Sequence, residues 1–140
     1  MGKVIPGRPI VKGSAEGKAL VSSEPLSFWG GYNHQTGEIT DRRHPLSGAI
    51  ASGQILALPF SRGSSTTTAV LLEAVRAGTA PAAILTTGID SFFALASIVA
   101  DEMYQTPIPV IAISQDDFAS LQNGDQLRIS DDGIILVNYK

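Results

Sequence analysis

Residues 53–78 read GQILALPFSRGSSTTTAVLLEAVRAG, and this stretch decides the fold class. Gly53–Pro59 is the continuous apolar run that is typical of a buried strand. Thr66–Ala77 has apolar side chains at helical spacing, and Gly78 stands where a helix commonly ends in a left-handed residue. A buried strand that leads directly into a helix predicts a strand-to-helix unit of an α/β domain.

The same pattern returns further along the chain. Ala82–Thr86 and Pro109–Ile113 are short apolar runs that predict two more buried strands. Between them, Asp90 or Ser91 is placed to cap a second helix that runs to about Met103. These elements predict a β-α-β-α-β core, in which the crossover connections make the strands parallel.

We expect a hairpin to close the domain, after a short helix that is capped by Ser114. Gln126–Ile129 and Ile134–Val137 flank Asp131-Asp132-Gly133, which is a strong turn signal. The predicted fold is therefore a mixed α/β domain with a partly parallel central sheet. The closing strands are expected to curl this sheet toward a barrel with helices at its sides.

The segments before this core are less regular. Met1–Pro9 is rich in Gly, Pro and charge, which predicts a loose lead-in to one domain over residues 10–140. Ile10–Gly13 and Gly17–Ser22 predict a hairpin around a turn at Ser14. Glu24–His44 predicts a long irregular loop. Such loops are usually functional or disordered, and the aromatic residues here favour an ordered, functional loop.

Composition excludes several classes of function. The 140 residues carry a formal net charge of -3, and no Lys/Arg cluster interleaves with aromatics, which argues against nucleic acid or an anionic membrane as partner. With neither a secretory signal pattern nor an apolar run of about 18 residues, we expect a cytoplasmic protein. The chain has no cysteine for zinc or an iron–sulfur cluster. His34 and His44 lack partners at metal-ligand spacing, so we predict no metal site.

The polar segment Phe60–Thr68 is the first candidate site, because it joins a predicted strand to a predicted helix. Strand ends that feed helix N-termini bind anions through free N–H groups and the positive dipole end. Arg62 adds a cation, and Gly63 permits close approach to a ligand. Plain helix capping explains one hydroxyl. It does not explain the five consecutive hydroxyl residues Ser64–Thr68, because serine and threonine are poor helix formers. Both readings stay open, and a site for a carboxylate or phosphate is favoured.

Two other segments are weaker candidates. Trp29, the single tryptophan, is followed by Gly30-Gly31 in a loop that begins at Glu24. A loop pinned by one buried aromatic explains it equally well. Asp41–Pro45 (DRRHP) is explained by a charged surface turn, and taken alone that is the better explanation.

Together these segments resemble the small subunit of aconitase X, which corresponds to the swivelling β/β/α domain of the aconitase superfamily. The resemblance runs from about Ile10 to Val137. Its motifs are Gly13–Gly17 (GSAEG), Glu24–Gly31 (EPLSFWGG), Thr36-Gly37 leading to Asp41–His44 (DRRH), Arg62–Ser65 (RGSS) and Arg76–Pro81 (RAGTAP).

The resemblance implies roles for individual residues. In this family the swivelling domain carries a serine general base, just after a glycine and beside a basic residue. Carried over, that serine is Ser64, or Ser65 if the match is placed one residue too early. The implied substrate-binding residues are Arg62, Gly63, Ser65, Ser27, Gly30 and Gly31. The residues implied at the subunit interface or cleft are Trp29, Asp41, Arg42 and His44.

The resemblance also implies a reaction and a partner. Family members are dehydratases that act on cis-3-hydroxy-L-proline or on mevalonate 5-phosphate. We therefore expect a small hydroxy-acid substrate and a large aconitase X subunit, which holds the iron–sulfur cluster that this cysteine-free chain cannot bind. The closeness of SFWGG and RAGTAPAAI to the bacterial form favours hydroxyproline, with mevalonate 5-phosphate as the alternative.

Two further classes of function remain open. A non-catalytic module would use the hydroxyl-rich segment only to grip an anion or a partner. A swivelling domain that carries a phosphohistidine is disfavoured, because His34 and His44 lie in the irregular loop and not at a strand-to-helix junction.

Overall fold

The computed structural model describes residues 2–62 and 65–139, with Ser65 described by its backbone only. Three helices lie in this part of the chain: α1 (Ser65–Ala77), α2 (Ser91–Tyr104) and α3 (Gln115–Ser120). The strands described are β1 (Lys3–Pro6), β2 (Arg8–Val11), β3 (Ala15–Val21), β4 (Leu26–Ser27), β5 (Ile55–Ala57), β6 (Ser61–Arg62), β7 (Ala83–Thr86), β8 (Val110–Ala112), β9 (Gln126–Ile129) and β10 (Ile134–Val137). Among these residues, no helix has both the length and the apolar character that crossing a membrane requires.

Eight strands form one sheet, in the order β1-β10-β9-β3-β5-β7-β8-β2. Its two outermost strands, β1 and β2, are consecutive in the sequence and are separated only by Gly7. The two ends of the sheet therefore meet. At this point the Gly7 N–H donates a hydrogen bond to the Gly133 carbonyl at 3.0 Å. The predicted α/β sheet that curls toward a barrel is confirmed.

Four neighbouring strands of this sheet, β3, β5, β7 and β8, run parallel. Parallel pairing requires a crossover connection for each pair. Helix α1 connects β5 to β7 and α2 connects β7 to β8, whereas the irregular segment that contains β4 connects β3 to β5. Every predicted core strand is present, although each is shorter than its apolar run. The closing hairpin of β9 and β10 and the caps Asp90 and Ser114 are also confirmed.

The parallel strands β5, β7 and β8 are largely buried on both faces, which explains their unbroken apolar sequences. Successive side chains of a strand point to opposite faces. Ile55 and Ala57 of β5 face the core that the barrel encloses. Leu56 and Leu58 face a second core, which α1, α2 and the loop between β4 and β5 cover from outside.

Two predictions for the N-terminal part are wrong. The described part of the predicted lead-in Met1–Pro9 is not loose, because β1 and β2 pair antiparallel with β10 and β8. The hairpin expected around Ser14 does not form either, since β3 lies between β5 and β9 instead of beside β2. The physical reason is long-range pairing. Lys3 stands opposite Val137, and such contacts outweigh the poor strand propensity of Gly, Pro and charged residues.

The segment Glu24–His44 is irregular, as predicted, and most of its apolar side chains are buried. Phe28 packs edge-on against Phe93 of α2, with ring centroids 5.7 Å apart, and lies 5.4 Å from the Tyr32 ring. The Tyr32 hydroxyl donates to the Thr79 carbonyl at 2.7 Å, and burial raises the pKa of this phenol. The loop is a packed cover over the outer core.

Candidate active site

The polar junction after β5 lies at the carboxyl edge of the parallel strands. β5 ends at Ala57, β6 follows at Ser61–Arg62 and α1 begins at Ser65. The predicted base is Ser64 and the glycine before it is Gly63. Both residues lie outside the described residues, as does the side chain of Ser65. Their roles stay predictions, so the site is built from the residues around them.

The start of α1 is suited to negative charge. The first N–H groups of a helix lack partners inside it, and its dipole is positive at that end. No acidic residue stands in the first turn of α1 to neutralise this end. Arg62 is exposed just before it, and the buried Thr67 carries a hydroxyl with no hydrogen-bond partner among the described residues. These features favour the binding of a carboxylate or phosphate, or the stabilisation of an alkoxide, at this end of the helix.

Two predicted segments that are distant in the sequence meet at this junction. β4 pairs with β6 in parallel, with Leu26 opposite Ser61 and Ser27 opposite Arg62. The structure therefore brings Ser27 and Arg62, both predicted to bind substrate, onto adjacent strands. The sequence could not show this pairing, because each of these strands has only 2 residues.

Gly30 and Gly31 form the turn that follows β4. A Cβ atom on Gly31 would lie 2.1 Å from the Ser27 carbonyl oxygen, so a larger residue would have to displace the β4 backbone. Gly30 has a φ of 77° and open space around it. Both glycines therefore have a structural reason to be present, and their contact with substrate stays a prediction.

Three large apolar side chains are exposed at this edge, and we call Trp29, Phe60 and Ile89 the apolar rim. Their exposed fractions are 73%, 54% and 62%. Trp29 follows β4, Phe60 precedes β6 and Ile89 lies just before α2. The last two segments are tied together, because the Thr87 hydroxyl donates to the Pro59 carbonyl at 3.2 Å. Exposed apolar residues grouped beside a polar junction are typical of a binding surface.

Asp90 contacts β6, although the sequence indicated only a cap at this position. Its Oδ1 accepts hydrogen bonds from the N–H groups of Phe92 and Phe93 at 3.0 and 3.1 Å. Its Oδ2 accepts from the Ser61 N–H at 2.6 Å and from the Ser61 hydroxyl at 2.8 Å. No local pattern links two residues that are 29 positions apart, so sequence reasoning missed this contact.

Asp41 and Arg42 lie on the turn that leads to His44. The Asp41 carboxylate accepts from the Arg43 N–H at 3.0 Å, which fixes the turn. The side chains of Arg42 and Arg43 are exposed. The placement of Asp41 and Arg42 at an interface or cleft stays a prediction.

His44 has a structural role within its own loop. It is buried, with Nδ1 accepting from the Leu46 N–H at 3.1 Å and Nε2 lying 3.2 Å from the Glu24 carbonyl oxygen. Because Nδ1 accepts, the ring proton is on Nε2 and donates to Glu24. His44 thus fastens the two ends of its loop, and its predicted place at an interface or cleft stays a prediction.

The residues of this chain do not fit an iron–sulfur cluster. The sequence contains no cysteine. Over residues 2–62 and 65–139, no three His, Asp or Glu side chains come together in a way that could hold a metal ion. A cluster of the kind that the resemblance implies would therefore need ligands from another chain.

Comparisons with known proteins agree with the geometry. The family described as aconitase X swivel domain matches residues 4–137. Cis-3-hydroxy-L-proline dehydratase of Pseudomonas aeruginosa is 44% identical over 108 residues, which cover 77% of this chain and 19% of that protein. The phosphomevalonate dehydratase small subunit of Pyrococcus furiosus is 37% identical over 123 residues, which cover 88% of this chain and 86% of that one.

A solved structure shows the same fold. The crystal structure of holo-form aconitase X of Thermococcus kodakaraensis matches with a TM-score of 0.85 and 31% identity, covering 96% of this chain and 98% of that chain. This chain spans only 19% of the length of the hydroxyproline dehydratases that it matches. By sequence over residues 4–137 and by its fold, the chain belongs to the aconitase X swivel domain family.

Proposed function

We propose that this chain is the small subunit of an aconitase X-type dehydratase and supplies Ser64 as the general base of an active site shared with the large subunit. The observation that supports this most is the arrangement at the carboxyl edge. There β6 and the exposed Arg62 lead to the N-terminus of α1, whose first turn holds no carboxylate. Relatives named as dehydratases support the reaction class.

The chemical demand on Ser64 explains why such a junction is needed. A serine hydroxyl is too weak an acid to lose its proton near neutral pH without help. A helix N-terminus, backbone N–H donors and a nearby guanidinium all stabilise the alkoxide. An alkoxide at Ser64 would abstract the substrate proton, and Arg62 would bind the anionic group of the hydroxy acid. The iron–sulfur cluster is expected in the large subunit.

The apolar rim supports association with a partner. Its side chains are exposed in this chain, and they lie beside the junction that the partner must complete. Aromatic side chains are enriched among the residues that dominate interface energies. Docking of the large subunit on the rim would bury Trp29 and exclude water from the shared site.

Cis-3-hydroxy-L-proline is the substrate that we favour. The identity to the Pseudomonas aeruginosa enzyme, 44%, exceeds the 37% to the Pyrococcus furiosus small subunit. Mevalonate 5-phosphate is the alternative, supported by the 86% of the Pyrococcus furiosus chain that the match covers. A hydroxyl-rich junction at a helix N-terminus suits the carboxylate of either compound and the phosphate of the second.

The test uses Ser64→Ala and Ser65→Ala in the enzyme assembled with its large subunit, assayed on both compounds. Loss of a positioned base typically lowers kcat about 10²–10⁴-fold, so we expect that loss for Ser64→Ala with a smaller change in KM. If Ser64 only caps α1, the variant should lose about 1 kcal/mol of stability and keep its kcat. Loss of turnover in Ser65→Ala alone would make Ser65 the base.

The same experiment separates the enzyme from a non-catalytic binding module. A module would bind an anion through the junction but give no turnover on either compound in the assembled wild type. Ser64→Ala would then reduce affinity, whereas in the enzyme it reduces kcat.

A further inference from the structure

We propose that Asp90 is a positioning residue, whose carboxylate fixes the strand that leads to Ser64 relative to α1 and α2. This rests on the proposed function, because it concerns the segment that carries the proposed base. Asp90 lies on the loop between β7 and α2, and it acts on the segment of Ser64 through its contact with Ser61.

Asp90 performs two tasks with two different oxygens. A helix cap needs one acceptor, as Ser114 shows at α3, where a single hydroxyl oxygen accepts from the Asp117 N–H at 3.1 Å. Oδ1 of Asp90 caps α2 in the same way, which leaves Oδ2 for the two hydrogen bonds from Ser61. A serine here would have one oxygen, and an asparagine would present an NH₂ donor on one side. A carboxylate is therefore the group that can accept on both sides.

The strand β6 depends strongly on this contact. It has only 2 residues, and its strand partner β4 has only 2 as well. The Ser61 N–H donates to the Asp90 carboxylate, and Asp90 is only 8% exposed. Water therefore competes little, and hydrogen bonds to a charged acceptor at 2.6 and 2.8 Å are the strong kind.

The first turn of α2 also contacts the chain beyond Ser64. The Thr68 hydroxyl in α1 donates to the Phe92 carbonyl at 3.4 Å. The α2 N-terminus thus contacts the chain on both sides of Ser64. Ser61 makes the contact before Ser64, and Thr68 makes the contact after it. The three peptide units from Ser61 to Ser64 can span at most roughly 10 Å. A catalytic group has to be held within about 0.5 Å, so the anchor at Ser61 limits where Ser64 can lie.

Asp90→Asn separates the two tasks of Asp90. Asparagine caps helices about as well as aspartate, so the cap on α2 survives with Oδ1. Its NH₂ group can donate to the Ser61 hydroxyl but cannot accept from the Ser61 N–H, so the backbone hydrogen bond to β6 is lost. Ser61→Ala removes only the hydroxyl contact. Ser97→Ala is the matched control, because its buried hydroxyl anchors the middle of α2 to the Ile108 backbone, away from the site.

Each variant is assembled with the large subunit for kcat and KM, and its melting temperature is measured on the isolated chain. We expect Asp90→Asn to lower kcat about 100-fold, the effect of a misplacement of about 1 Å, with a smaller change in KM and in melting temperature. Ser61→Ala should lower kcat less, because the hydrogen bond from the Ser61 N–H to Asp90 remains. Ser97→Ala should lower the melting temperature and keep kcat.

A wild-type kcat in Asp90→Asn, in an enzyme that Ser64→Ala inactivates, would overturn the proposal and leave Asp90 as a cap. If Asp90→Asn does not fold, Ser61→Ala decides. A lower kcat at an unchanged melting temperature supports the proposal, and an unchanged kcat overturns it. Failure of the proposed function looks different. The assembled wild type then gives no turnover, or Ser64→Ala keeps it, and the positioning role is rejected together with the base.

Discussion

Trp29→Ala tests whether the large subunit docks on the apolar rim. Because 73% of Trp29 is exposed, the substitution removes little of the chain's own packing. A tryptophan offers at most about 250 Å² of surface, so about 65 Å² is buried in this chain. At about 25 cal/mol per Å², the free energy of unfolding should fall by at most about 1.6 kcal/mol.

The expected effect on association is larger. The exposed part amounts to roughly 180 Å², and its burial in an interface is worth at most about 4.5 kcal/mol at the same coefficient. Ordering of side chains offsets part of this, so we expect about 2 kcal/mol, the value of an interface hot spot. The Kd for the large subunit should therefore rise about 30-fold.

Titration calorimetry of the variant chain with the large subunit measures Kd, and thermal unfolding of the chain alone measures stability. Met103→Ala is the matched control. Met103 is also exposed, and it lies about 18 Å along α2 from the first residue of that helix. Its Kd should stay at the wild-type value. An unchanged Kd for Trp29→Ala, with a stability loss above about 3 kcal/mol, would show that Trp29 belongs to the core and would refute the reasoning.

Three further outcomes follow from the structure. Gly31→Ala should destabilise the chain more than Gly30→Ala, because its new Cβ would meet the Ser27 carbonyl oxygen, whereas Gly30→Ala adds only the strain of a positive φ in open space. Equal losses in chemical denaturation would contradict this. Burial raises the pKa of Tyr32 in the folded state only, so folding is favoured while the phenol stays protonated. Above about pH 10, where an unfolded tyrosine ionises, the free energy of unfolding should fall more steeply in the wild type than in Tyr32→Phe, as denaturant titrations at several pH values would show. The isolated chain should fold, as circular dichroism would record, and yet show no dehydratase turnover until its large subunit is added; turnover by the chain alone would contradict the shared active site.

The parts of the fold that the sequence predicted are those in which local pattern and tertiary pairing agree. The run from Gly53 to Ala112 contains β5, α1, β7, α2 and β8. The pairings among its own strands, β5 with β7 and β7 with β8, join near neighbours in the chain. β1 and β2 were missed because their partners are distant, as in Lys3 opposite Val137. Local propensity carries no information about such pairs.

For the candidate site, the sequence predicted a chemistry, which stays a prediction, but not the contacts that support the site. Residue types at the β6–α1 junction indicated an anion site. Trp29 was predicted to lie at an interface or cleft, and its side chain is exposed, as such a place requires. The contact of Asp90 with Ser61 and the burial of His44 depend on how loops pack. Neither follows a period of 2 or 3.6 residues, so neither could be predicted from the sequence.

The closure of the barrel between β1 and β2 has a consequence for the order in which the chain folds. Lys3 cannot find its partner until Val137 has been synthesised and has left the ribosome. The β5-to-β8 region has nearby partners and can form earlier, whereas pairings of long sequence separation form slowly. Until the last hairpin arrives, the edges of β1 and β3 that pair with β10 and β9 stay open on the nascent chain. Open edges invite pairing with other chains, so this interval is when the protein is most exposed to aggregation and to chaperone binding.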